Sequence, residues 1–97
     1  MALLDKVKAA LRISHTALDD ALSDDIEAAK AELIRAGCDA TVVGDAENYP
    51  LIVKAIKTYC LAENTEDESD AEGYRDSFKY QQDCLRRSSG YRSEDEE

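Results

Sequence analysis

One proline and four glycines leave this 97-residue chain few places to turn, and with 43% hydrophobic and 35% charged residues the composition is that of a soluble, helix-rich protein. Apolar runs are short: none approaches the roughly 20 residues that a membrane-spanning helix needs. The opening MALLDKVKAALRI is amphipathic, but Asp5, Lys6 and Lys8 stand where a signal peptide has its apolar centre, so a cytosolic protein without membrane association is expected. Metal-binding and redox residues are also scarce. Cys38, Cys60 and Cys84 form no C-x-x-C pair, and His15 is the single histidine, so neither a disulfide framework nor a zinc site is expected; the thiols read as reduced and structural. Positive charge is in deficit too. Twelve Lys and Arg against 22 Asp and Glu give a net charge of -10, which opposes general affinity for DNA or an acidic membrane while leaving room for a local basic patch. There is no glycine-rich phosphate loop and no internal repeat.

The densest apolar face lies in PLIVKAIKTYCLAE, residues 50–63. Ile52, Ala55, Ile56, Tyr59 and Cys60 recur at spacings of three and four, on one side of a helix, and Leu51, Val53, Leu61 and Ala62 widen that side. A helix so apolar must be covered from more than one direction, which makes it the expected centre of a bundle. Pro50 suits the first helical turn, and Asn48 is the expected cap if Tyr49 is the first helical residue.

Upstream, Leu4, Val7 and Leu11 align a first helix over residues 3–11, ending before a break at Ser14-His15. Thr16 and Asp19 read as a capping box for a second helix, in which Leu18, Leu22, Ile26, Ala29 and Leu33 share a face until Gly37 ends it. Residues 38–49 lose the helical period and read as an ordered connection whose TVV segment has extended character. After the central helix comes the acidic linker NTEDESD, with Ser69 and Glu72 as a second capping box, and a last helix from Asp70 or Ala71 to about Arg87 that buries Ala71, Tyr74, Phe78, Gln81 or Gln82, and Leu85. The fold expected is all-α: a small four-helix bundle-like domain over residues 1–87, with an ordered loop between helices two and three and a flexible acidic tail over residues 88–97. Ninety-seven residues make one domain that buries roughly 60 to 65% of its surface and has little stability in reserve.

No cluster of residues points to chemistry. His15 has no evident nucleophile to serve and reads as an exposed or capping residue. Asp19-Asp20 and Asp24-Asp25 fall within a helix and lack the loop and central glycine of a calcium site, so they read as a solvated face; the acids of residues 66–70 read as a solvated hinge. Neither an enzymatic activity nor a cofactor is expected. The richest cluster is Tyr74, Arg75, Lys79, Tyr80, Arg86, Arg87, Tyr91 and Arg92, because Tyr and Arg are enriched at protein interfaces. Tyr74 has a ready role in the core, whereas Tyr91 and Arg92 lie beyond the last helix and suggest docking on a partner.

The order LLDKVKAALRIS, ALDDALSDDIEAAKAELIRAG, NYPLIVKAIKTYCLAE and DCLRRSSGYR resembles the head-tail connector proteins of tailed bacteriophages and prophages, also described as DNA-packaging or head-completion proteins. The likeness covers residues 3 to about 92 and rests on apolar and small-residue patterns in all four helices. It implies a structural subunit of the virion's head-tail junction, assembled in the host cytoplasm, that forms a ring under the portal and extends the DNA channel after packaging. Implied partners are further copies of the chain, the portal protein and the next head-tail joining protein, with DNA passing through unbound. By the same likeness Leu85, Arg86, Arg87, Tyr91 and Arg92 belong to the portal-facing element, while the acidic extension of residues 93–97 has no counterpart in the pattern.

Charge distribution accords with a conduit, since a lumen bearing carboxylates repels the duplex and lets it slide. Acidic faces on helix two and the linker are the expected lining, and Leu3, Val42 and Val43 the expected apolar surface for a neighbouring copy. An acidic helical inhibitor or DNA mimic that binds a basic enzyme is the alternative. Against it, Lys30, Arg35, Lys54 and Lys57 interrupt what should be a continuous anionic face.

Overall fold

The structure is a computed structural model that describes residues 3–88, 90 and 91. Among these, five α-helices and one short 3-10 turn account for the regular structure, with no β-strand: α1 Leu3–Leu11, α2 Asp19–Arg35, α3 Ala40–Gly44, the 3-10 turn Ala46–Asn48, α4 Pro50–Asn64 and α5 Glu68–Arg87. The protein is all-α and bundle-like, as the apolar periodicity predicts.

Helix α4 is the centre. It buries Ile52, Val53, Ala55, Ile56, Thr58, Cys60 and Ala62, and α1, α2 and α5 all pack against it. α5 runs antiparallel to α4: Tyr59 meets Phe78 edge-on at 5.2 Å, and Gln81 donates to the Thr58 hydroxyl at 3.2 Å. α2 is also antiparallel to α4, with Asn64 donating to Asp25 at 3.1 Å, so α2 and α5 run side by side in the same direction. Gln82 at 2.9 Å from the Glu32 carbonyl ties those two together. Leu3 and Val7 seat α1 in the core, and an ion pair from Lys8 to Asp19 at 2.8 Å holds α1 to the start of α2.

The helix ends depart from the sequence expectations in instructive ways. α2 carries no Thr16 capping box: its N-cap is Leu18, Thr16 offers only its carbonyl to the Asp19 N–H, and the Asp19 carboxylate is engaged by Lys8 from another helix. Leu18 therefore lies outside the helical register and is exposed, not on the buried face with Leu22. Before α4, Tyr49 is the N-cap and Pro50 the first helical residue; a residue preceding proline is disfavoured in the α region, so Tyr49 cannot begin the helix. Asn48 donates instead to Asp45 at 2.9 Å. α5 starts at Glu68, two residues early, because Asp67 already accepts the Asp70 N–H at 3.1 Å and replaces the Ser69 box.

The connection over residues 38–49, expected as an ordered loop whose TVV segment has extended character, is largely helical. Asp39 caps it by accepting from the N–H of Thr41 at 2.7 Å and of Val42 at 3.4 Å, and one turn of helix delivers Val43 fully into the core. A lone strand would have left its ladder unpaired.

α1 and α2 end alike. In each, paired backbone bonds return to the last turn: Arg12 and Ile13 to Ala9 and Lys8, Gly37 and Cys38 to Ile34 and Leu33. The residue at the turn has φ +119° at Gly37, where glycine is at ease, and +61° at Arg12, where an L side chain is strained. Beyond α5 the chain does not leave at once. Gly90 turns it back with φ +96°, the Tyr91 carbonyl accepts the Asp39 N–H at 2.7 Å, and the Tyr91 ring meets Tyr49 edge-on at 5.9 Å. The domain packing thus reaches past Arg87 to Tyr91. Arg92 and the acidic extension of residues 93–97 lie outside the described residues.

Candidate interaction surface

Where α2, α4 and α5 meet, their side chains frame an open groove of about 250 Å³. Its walls are Glu32 and Arg35 from α2, Tyr59, Ala62 and Glu63 from α4, and Arg75, Phe78, Lys79 and Gln82 from α5. The floor is apolar, built on the edge-to-face pair of Tyr59 and Phe78. Burial, then the carboxylates of Glu63, Glu32 and Asp25, raise the Tyr59 hydroxyl above its ordinary pKa, so it stays protonated.

The rim is charged. Arg35 is paired with Glu32 at 2.6 Å, whereas Arg75 and Lys79 have no carboxylate within ion-pair distance among the described residues. Arg75, Lys79, Gln82 and Arg86 stand at i, i+4, i+7 and i+11, which places them along one side of α5 over about 16 Å. Arg86 continues the row toward the end of α2, where its Cβ would lie 3.6 Å from a Cβ added at Gly37. Arg86 and Arg87 share the single carboxylate of Asp83, at 2.7 and 3.1 Å, which leaves positive charge in surplus there. Among the described residues this basic row stands out on a chain of net charge -10.

The set Leu85, Arg86, Arg87, Tyr91 and Arg92 is not a single exposed surface. Leu85 is 4% exposed and belongs to the core, and Tyr91 is half-buried against it; Arg86 and Arg87 are exposed. The partners of Tyr91, Tyr49 and Asp39, are distant in sequence, and no local period announces them. Leu3 and Val43 likewise lie in the core and Val42 is half-buried, so none of the three is an outward apolar surface; the exposed apolar residues are Leu18, Ile34, Leu51 and Tyr80. No local pattern announces the groove itself, although the i, i+4, i+11 spacing of Arg75, Lys79 and Arg86 is legible in the sequence.

No protein-family model, curated protein or solved structure matches this chain. The residues themselves carry the functional reading.

The remaining reactive side chains are dispersed. His15 is exposed, and its Nδ1 accepts the Ala17 N–H at 3.3 Å, which closes the turn before α2. Cys38 and Cys60 are buried and Cys84 is exposed. Burial, with the Asp25 and Glu63 carboxylates adding to it, pushes the Cys60 thiol up to about 12, and burial raises Cys38 as well. Thiols so shifted stay protonated near neutrality and act as small apolar groups. The acids of residues 66–70 are exposed, and among the described residues no group of three or more His, Cys, Asp and Glu side chains is placed to hold a metal ion. No helix of the described residues is long and apolar enough to cross a membrane.

Proposed function

We propose that the chain is a structural subunit of a phage or prophage head-tail connector, one that assembles with its own copies into a ring under the portal and lengthens the DNA channel. Supporting this reading is the order of the four long helices, 3–11, 19–35, 50–64 and 68–87, which follows the connector-like pattern of the sequence. The observation that carries it is the segregation of charge: exposed carboxylates on the outer side of α2 and on the linker before α5, against a single basic row on α5. In a ring, the exposed acids of residues 66–70 suit a lumen that must not grip phosphates, and the basic row suits an acidic protein neighbour. Within the portal-facing element, the exposed Arg86 and Arg87 make the contact, while Leu85 and Tyr91 hold the element in place.

Native mass and negative-stain images of the purified chain, alone and with a phage portal protein, test the proposal. Rings, or monomers captured by the portal, are the expected result. A monomer that ignores the portal and binds a basic enzyme instead would favour the acidic inhibitor. Tight duplex binding in a gel shift at physiological salt would overturn the acidic lumen.

A further inference from the structure

We infer that the unpaired start of the basic row on α5, Arg75 and Lys79, docks on the acidic outer row of α2, Asp20, Asp24 and Glu27, of a second copy of this chain. The inference rests on the self-assembly proposed above and names the surfaces that make it.

Both rows are exposed and lie on long helices. Asp20, Asp24 and Glu27 follow one another at i, i+4 and i+7, on the side of α2 opposite the buried Leu22, Ile26, Ala29 and Leu33. Asp20 and Asp24 have no cation within ion-pair distance among the described residues, and Glu27 has only Lys30 at 3.7 Å. The α5 row has the same i, i+4 start and the opposite charge, again with two members, Arg75 and Lys79, lacking an ion-pair partner among the described residues. Within one copy, internal ion pairs leave both rows largely unneutralised. Between two copies they are complementary, and helix rows of this spacing interdigitate when helices pack. Beside the basic row the half-buried Tyr59 ring, packed on the buried Phe78, adds apolar surface that gains from being covered. Because the two rows are different surfaces of one molecule, the contact is head-to-tail. Such a contact propagates from copy to copy and closes into a ring if the rotation between copies allows it.

Two charge-reversed variants of the full chain test the contact. One carries Arg75→Glu with Lys79→Glu, the other Asp20→Lys with Asp24→Lys; circular dichroism checks that each keeps its fold. Each alone should self-associate at least about 100-fold more weakly than the parent chain, since like charges then face each other. An equimolar mixture should recover assembly, because each variant's altered row meets the other's complementary one. Assembly of the parent chain should also weaken as salt is raised. If the parent forms rings that neither variant disturbs, this contact is wrong and the ring stands on other surfaces. If the mixture recovers a two-copy particle only, the contact stands and the ring fails. A parent chain that remains monomeric at every concentration and salt overturns both. If deleting residues 93–97 abolishes the response to reversal, the chain's own acidic end occupies the row and the contact between copies falls.

Discussion

Helices α4 and α5 are neighbours of similar length, yet they solve different problems. α4 buries seven of its fifteen residues and α5 three of its twenty, so the first is nested among its neighbours and the second lies along the outside. Their charges differ in the same sense: α4 contributes Lys54, Lys57 and Glu63 at its edges, while α5 carries acids at its start and a basic row toward its end. The lesson is a division of labour. Stability is concentrated in α4 and its contacts, and α5, anchored through Ala71, Phe78 and Leu85, is free to present a patterned surface.

The sharpest way to break this contrast is a charge in α4. Ile56→Asp, at a site with no exposure, should abolish folding, because an unpaired carboxylate would be buried; loss of the helical circular dichroism signal and of a cooperative melt is the expected readout. A variant that melts like the parent would mean that α4 is not the centre.

Alkaline pH probes the same interior. The Cys60 thiol has an ordinary pKa of 9.0 and is raised to about 12 in the folded chain. Below pH 9 both states hold the proton and folding is unaffected; above it the unfolded state releases its proton first, so this contribution to stability falls as pH rises toward 12. Melting temperatures should therefore decline more steeply with pH in the parent than in Cys60→Ala, whatever the variant's stability at neutrality.

Tyr91 tests how far α5's end is part of the fold. Tyr91→Ala should cost about 2 kcal/mol in urea unfolding, from lost apolar burial and the edge-to-face contact with Tyr49, and a chain ending at Arg87 should lose at least as much. An unchanged midpoint would return the region beyond Arg87 to the status of a free tail.

The smallest effects belong to exposed backbone. Gly73 lies in α5 with nothing within 4 Å of an added Cβ, so Gly73→Ala should stabilise by about 0.5–1 kcal/mol. Arg12→Gly should gain a similar amount, roughly 0.5–1 kcal/mol, by relieving the positive φ after α1. Equal and opposite results at either site would show that its backbone is held by contacts other than those described above.

Much of the bundle is legible in the sequence. The span of α1, the nesting of Ile52, Ala55, Ile56 and Cys60, and the burial of Ala71, Phe78 and Leu85 follow from apolar spacing alone. The ends of the helices are less legible, because the sequence holds more capping residues than caps. Thr16, Asn48 and Ser69 are plausible caps by type, but an ion pair from Lys8, the constraint of Pro50 and the earlier carboxylate of Asp67 prevail. The connection after α2 misleads for a related reason: the β-branched Thr41, Val42 and Val43 favour extended backbone locally, and the burial of Val43 under an Asp39 cap outweighs that preference.

The amino-acid order alone determined that this protein is helical, how many long helices it has and which side of each is buried, because a helix closes its backbone hydrogen bonds within itself and its buried face repeats every few residues. Only the tertiary structure decided that Tyr91 is committed inward while Arg75 and Lys79 border an open groove. Those outcomes depend on partners tens of residues away, such as Asp39 and Tyr49 for Tyr91, and no local pattern encodes who those partners will be.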